Sequence, residues 1–353
     1  LRKAASGLYS NDGFVPGRVQ ILFLSRYLTV TPEYTCQQSS LIRYNGGGPE
    51  PGGVKRAMCR DNMYSRLLTK AILLAVIAAV TANMLFGAKP FAVHSYGNKL
   101  IQRIAWFYLD YQTKNYYELQ SEHFLLKYSA ADKSAAHLTA EKAEEYLNSA
   151  KRILLDDSEE GRILLVLYPD RDSLNGSFGW GSDKSAAGVY WAGSIVLLSP
   201  RAWKSGKTSE EEMKNILAHQ VPLSHELTHL LVDRQTGGNY CRWLTEGLAQ
   251  YVEEKIAGFR LKEPLPEERE NLYPLDGLEK NFDRQENQEL AYWQSLQTVK
   301  FLLDEHGMVK MQELLAVLGK GARIEEALNS VYGLDRVKLE NAVKGYLAKQ
   351  DYD

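Results

Sequence analysis

Two short blocks constrain this chain more than any other part of its 353 residues: Ser224-His225-Glu226-Leu227-Thr228-His229 and Trp243-Leu244-Thr245-Glu246-Gly247-Leu248-Ala249. Each lies in a helical pattern. Between them Gly237-Gly238 supplies a stop and residues 239–242 a reversal, so the sequence predicts two antiparallel helices, over residues 222–232 and 244–257. Pro222 suits the first turn of the former, where a missing N–H costs nothing. That helix is expected to be short and amphipathic, with Gly247 and Ala249 letting the second helix approach it closely.

The same spacing carries chemistry. Residues four apart lie one above the other on a helix, so His225 and His229 point the same way and can grip one cation. Neutral imidazoles at that spacing suit zinc, and Glu226 beside the first of them is placed to take a proton from a metal-activated water. Tetrahedral catalytic zinc needs one more protein ligand and an open position. Glu246, expected in the first turn of the second helix, is the leading candidate, and Gln250 or Glu253 further along could accept the second N–H of a ligand histidine. Paired histidines at this spacing also occur on ordinary amphipathic helices. The second block, at a distance that two antiparallel helices can span, argues for the metal: one Zn2+ ion on His225, His229 and Glu246.

The rest of the chain reads as strands first and helices last. Strands are expected at residues 123–128 and 162–167, with a helix over 131–155 between them, and a further β segment at 188–198 is interrupted at Gly193. That segment could be an interior strand or an exposed one on which a peptide adds as a further strand. Helical patterns follow at 210–218, 290–306, 308–318, 323–332 and 336–349. The fold class is α+β, with a small sheet, a catalytic helix and an α-helical C-terminal subdomain.

Residues 1–62 show no apolar period and contain the run Asn45-Gly46-Gly47-Gly48-Pro49-Glu50-Pro51-Gly52-Gly53, which reads as linker or disorder. Translation is expected to begin at Met58 or Met63, because a basic stretch (Arg66, Lys70) and then 18 uncharged residues, 71–88, follow as in an export signal or membrane anchor. The uncleaved anchor is the favoured reading and secretion after cleavage the alternative. Denser positive charge before the run (Lys55, Arg56, Arg60, Arg66, Lys70) than after it (Lys89, Lys99, Arg103) places the body on the outer side of the cytoplasmic membrane. Residues 97–119, with Leu100, Ile104, Phe107, Leu109 and Tyr111 among polar residues, read as a juxtamembrane amphipathic helix. Residues 1–88 hold ten Lys/Arg and four Asp/Glu, which leaves 32 and 40 for residues 89–353. A net-acidic body lacks the basic surface that nucleic acid requires. Cys36, Cys59 and Cys241 are too few for a disulfide framework. The other histidines considered, His123, His137 and His219, are read as structural.

An HExxH block followed by Trp-Leu-x-Glu-Gly-x-Ala resembles the gluzincin metallopeptidases, and the flanks most resemble the bacterial peptidase MA-like domain family, whose members are often membrane-anchored. The likeness runs from about His123 to Tyr346 and takes in residues 188–200, Thr236-Gly237-Gly238-Asn239-Tyr240 and Ala291-Tyr292-Trp293-Gln294-Ser295. The resemblance implies His225, His229 and Glu246 as zinc ligands and Glu226 as general base. Because relatives place an oxyanion-stabilising tyrosine on a helix downstream of the ligand glutamate, it also makes Tyr292 the candidate donor. His306 is a weaker candidate, beside Gly307 at a helix end. Two departures stand out. Aminopeptidase-like relatives bind the substrate amine through a Gly-x-Met-Glu-Asn strand, whereas residues 188–200 here contain no acid, which favours cleavage within a chain. The spacer between His229 and Glu246 is also slightly shorter than theirs.

The reading is therefore a zinc endopeptidase acting on peptide or protein. The expected organisation is an N-terminal extension (1–62), a signal-anchor (63–88), a juxtamembrane helix (89–120), a catalytic part (121–260) and a helical part (261–353). A non-catalytic zinc-containing binding module of the cell envelope is the alternative, and a zinc hydrolase of non-peptide amides is a third reading.

Overall fold

The computed structural model describes residues 90–350 apart from 159–160, 181–185 and 205. Asn98–Asp353 belongs to one compact unit; Gly17–Gly97 falls in another, of which only the helical stretch from Pro90 is described. The 71–88 run lies outside the described residues, and among those described no helix is long and apolar enough to cross a membrane.

The architecture is mixed α and β. Helix α1 (Pro90–Gln112) leads into strand β1 (Tyr117–Gln120), β2 (Phe124–Tyr128), α2 (Lys133–Ile153), β3 (Ile163–Tyr168), the short α3 (Arg171–Ser177), β4 (Gly188–Trp191) and β5 (Ser194–Leu198). These strands form one five-stranded sheet in the order β1-β2-β3-β5-β4. Its centre is parallel, β2 with β3 and β3 with β5, and both edges are antiparallel. Every residue of Ile-Leu-Leu-Val-Leu-Tyr in β3 is buried, as expected of a parallel strand covered on both faces. Helix α2 brings small residues to the core (Ala135, Ala136, Ala140, Ala143, Ala150), with Tyr146 and Leu147 between them.

In the sheet region two features differ from expectation. The predicted helix over 97–119 ends at Gln112, where Thr113 turns its Oγ1 back to the Leu109 carbonyl at 2.6 Å, and the aromatic end becomes β1. The single β segment at 188–198 is a tight hairpin, its turn made by Ala192 and Gly193 with φ of 45° and 83°. Two positive φ values in a two-residue loop match the twist of the strands they join.

Past β5, only helices occur among the described residues: α4 (Glu210–His219), α5 (Leu223–Thr236), α6 (Arg242–Ala257), α7 (Pro266–Arg269), α8 (Leu275–Asn281), α9 (Gln288–Leu318), α10 (Ile324–Tyr332) and α11 (Arg336–Gln350). A Ser209–Glu212 capping box starts α4. Left-handed glycines end α5 at Gly237 and α6 at Gly258. The sequence break between 306 and 308 appears inside α9 as Gly307, with φ 80° and ψ 167°.

Helix α5 is not amphipathic. Leu223, Ser224, Glu226–Asp233 and Thr236 are all buried, so its polar residues face the interior rather than water. It packs against α2, α6, β4 and β5. Gly247 also has a different neighbour from the one expected. A Cβ there would lie 2.4 Å from the Ser295 carbonyl oxygen and 2.6 Å from Val299 Cγ2, both on α9. The glycine therefore sets the α6–α9 approach, not that of α6 to α5. Gly247→Ala must push these helices apart, and its expected cost is about 1–3 kcal/mol. Denaturant unfolding of the purified variant checks this, and an unchanged midpoint would contradict it.

Candidate metal centre

Helix α5 carries His225 and His229 one turn apart, and α6 brings Glu246 opposite them. The ligand-capable atoms of these three residues all lie within 4.8 Å of one another. Glu246 Oε2 is 3.3 Å from His225 Nε2 and 3.7 Å from His229 Nε2, and the two rings stand nearly perpendicular at 81°. Tetrahedral zinc with bonds of about 2.0–2.1 Å holds its ligand atoms roughly 3.3 Å apart, close to this spacing. Glu246 lies in the second turn of α6 rather than the first, because that helix begins at Arg242, two residues earlier than predicted.

The donor set also fits a cation chemically. Glu246 is 1% exposed, and beyond the two imidazoles its Oε2 has no hydrogen-bond partner. A buried carboxylate oxygen without a partner is costly unless something positive sits against it. The other oxygen is engaged: Arg242 Nε pairs with Oε1 at 2.9 Å, while its Nη2 lies 3.7 Å from Asp283 Oδ1. Burial alone would raise the Glu246 pKa, but Arg242 and the two imidazoles outweigh it and hold the group well below the ordinary carboxylate range.

The outer nitrogens of both histidines are held. His225 Nδ1 meets Glu253 Oε2 at 3.2 Å, and His229 Nδ1 meets Thr245 Oγ1 at 2.7 Å. In the neutral ring, a proton on Nδ1 leaves Nε2 free to ligate a cation lying beside Glu246. Of the two partners proposed for a ligand histidine, Glu253 fills that place. Gln250 instead donates to the carbonyls of Glu246 and Tyr292, at 3.2 and 3.0 Å. Burial pushes His229 down to about 3, whereas at His225 the two carboxylates overcome burial and raise the pKa.

Glu226 is 8% exposed, and its Oε2 accepts the backbone N–H of Tyr190 at 2.6 Å. Burial raises its pKa to about 7, against the pull of His225 and that N–H. Edge strand β4 therefore runs directly beside Glu226. A Cβ on Gly188 would fall 2.9 Å from Pro222 Cγ and 3.2 Å from Glu226 Cγ, so only glycine fits there without displacement.

One turn beyond His229, Asp233 is buried and collects donors from three directions. Gln102 Nε2 and Asn98 Nδ2 of α1 reach its Oδ2 at 2.6 and 3.4 Å, and the Tyr190 and Tyr240 hydroxyls also donate to it. Burial raises its pKa, which the donors partly offset. Tyr190 thus ties α5 to β4 twice, through its N–H on Glu226 and its phenol on Asp233.

Arg242, Thr245, Asp233 and Tyr190 were not anticipated from the sequence. Arg242 had a local signal, since it lies four residues before Glu246 on one helix. Tyr190 had none, because its role comes from sheet order. Tyr292 lies on α9 with its carbonyl bonded to Gln250 and its ring edge-on to Phe282 at 5.1 Å. His306 packs between Phe301 and Tyr332. Cys241 is buried, and burial raises its thiol pKa far above the ordinary range. A second group, Glu122, His123 and Glu144, could offer ligand atoms to a cation. Both Glu144 oxygens are already used there, Oε1 by Ser121 Oγ and the His123 N–H and Oε2 by His123 Nδ1, which pins the β1–β2 turn to α2.

Residues 212–349 match the family model of the peptidase MA superfamily. The match begins after the last strand and spans the two histidines, Glu226 and Glu246. No curated protein matches the chain.

Proposed function

Since residues 212–349 carry a peptidase MA-like domain, we propose that this chain is a zinc-dependent endopeptidase, held at the cytoplasmic membrane by residues 71–88 with its catalytic body outside. The observation that carries the reading is Glu246 Oε2, buried, facing two imidazole Nε2 atoms and without any other hydrogen-bond partner. His225, His229 and Glu246 would hold the ion, which when bound supplies a Lewis acid and lowers the pKa of water.

The protein's own groups do the rest. Glu226 holds Oε2 on the Tyr190 N–H and uses Oε1 to take the proton of the attacking water, then delivers it to the departing amine. Its pKa near 7 suits a group that must both accept and release a proton at neutral pH. Edge strand β4 can take an extended peptide as a further antiparallel strand, with ladder bonds fixing the backbone beside Glu226. Tyr292 is the proposed donor to the oxyanion. Neither β4 nor the hairpin turn offers an acid to bind a free amine, which favours cleavage within a chain.

The test is hydrolysis of a peptide library by the full chain, with and without blocked termini. Cleavage of doubly blocked peptides is expected. Cleavage only next to a free N-terminus would replace the endopeptidase reading with an exopeptidase one, and zinc binding with no cleavage at all would favour the non-catalytic module.

A further inference from the structure

Among the described residues eight large apolar side chains are exposed, and four of them, Leu100, Phe107, Tyr111 and Tyr117, crowd into one stretch of 18 residues. The other four, Leu155, Leu265, Val309 and Val337, are scattered singly. At 100° per residue, Leu100, Phe107 and Tyr111 fall within about 40° of one another on α1, flanked by Arg103. Lys114 extends the stripe, its ammonium 4.7 Å over the Tyr111 ring.

The opposite face of α1 is fixed to the body. Ala105 and Leu109 are buried, and Asn98 and Gln102 bind Asp233 on α5. The helix therefore cannot rotate to hide the stripe. The nearby acids, Asp110 and Glu118, are both paired with Lys127, whereas Lys99, Arg103 and Lys114 are exposed. An apolar-aromatic stripe edged with cations matches the boundary between lipid headgroups and acyl chains.

We infer that the outer face of α1, formed by Leu100, Arg103, Phe107, Tyr111 and Lys114, lies on an anionic lipid bilayer surface. The occupant follows from chain continuity: the 18-residue uncharged run ends at Ala88, and α1 begins two residues later. This inference rests on the anchor reading of that run. It goes further, assigning lipid contact to a face of the folded body and so holding the Asp233-bearing helix next to the membrane.

The experiment uses the full chain in vesicles of phosphatidylcholine with and without phosphatidylglycerol. A photoactivatable benzophenone amino acid replaces Phe107, or in a second variant Tyr111, with Leu155, which is as exposed as Tyr111, as the control position. The expected result is lipid adducts at 107 and 111, increased by phosphatidylglycerol, and none at 155, with the probes roughly 5–10 Å below the headgroup boundary. Reversing the cation with Arg103→Glu is expected to abolish the phosphatidylglycerol-dependent increase. No lipid adduct at 107 or 111 in a chain that stays with the vesicles overturns the inference and leaves the anchor standing. Protein–protein adducts in place of lipid adducts overturn it in favour of a second copy. A chain that washes off the vesicles overturns anchor and inference together.

Discussion

Glu226→Gln is expected to retain bound zinc and to lose peptide hydrolysis by roughly 10²–10⁴-fold, the usual contribution of a positioned acid–base group. The side chains are isosteric, and the glutamine oxygen can still accept the Tyr190 N–H that Glu226 accepts at 2.6 Å. The three proposed ligands are untouched by the change. What disappears is the carboxylate that takes the proton, so kcat should fall with little change in KM. Metal content and single-substrate kinetics on the same preparation check this. Activity within a few-fold of wild type would remove Glu226 from the mechanism and point to another base.

The second large effect is expected at Arg242, four residues before Glu246 on α6. The Arg242 side chain is 8% exposed, and its guanidinium lies between the buried carboxylates of Glu246 and Asp283. Arg242→Met preserves much of the packing against Phe282 but leaves two buried carboxylates without their cation. Breaking such a pair typically costs about 3–5 kcal/mol. Because Arg242 occupies Oε1 and thereby presents Oε2, zinc affinity should also fall, by roughly 10–100-fold, as for other residues that orient a ligand. Zinc should restore part of the stability, since a bound ion would replace the missing positive charge beside Glu246. Thermal unfolding with and without zinc, together with a competition titration against a chelator, measures both effects. A variant as stable as wild type without metal would show that the pair carries no such role.

The outline of the site was legible because its signals are local. Helix periodicity and the Gly237 stop fixed the facing of His225 and His229, and the block from Trp243 to Ala249 supplied Glu246 on the next helix. The break at Gly307 and the strand at Ile163–Tyr168 were legible for the same reason: one is a backbone conformation suited to glycine, the other an unbroken apolar run. What escaped depends on contacts distant in sequence. Tyr190 reaches Glu226 across 36 residues, and Gln102 reaches Asp233 across 131. No window of sequence contains either pair. Helix α5 reads as amphipathic because polar residues recur along it, whereas Ser224, Thr228 and Asp233 are buried together with Glu226 and His229. Strand β1 was absorbed into the preceding helix because no glycine or proline separates Gln112 from Tyr117. Gly247 was assigned the wrong partner since small residues announce a close approach without naming what approaches.

The most direct test of the central claim is the zinc stoichiometry of the purified, folded full chain, measured for wild type and for His229→Ala and Glu246→Ala. The account predicts one zinc per wild-type chain, lost from both variants on mild dialysis against a chelator that leaves wild type loaded. Folded wild type free of zinc, or variants that keep it as tightly, would contradict the metal centre assigned to His225, His229 and Glu246.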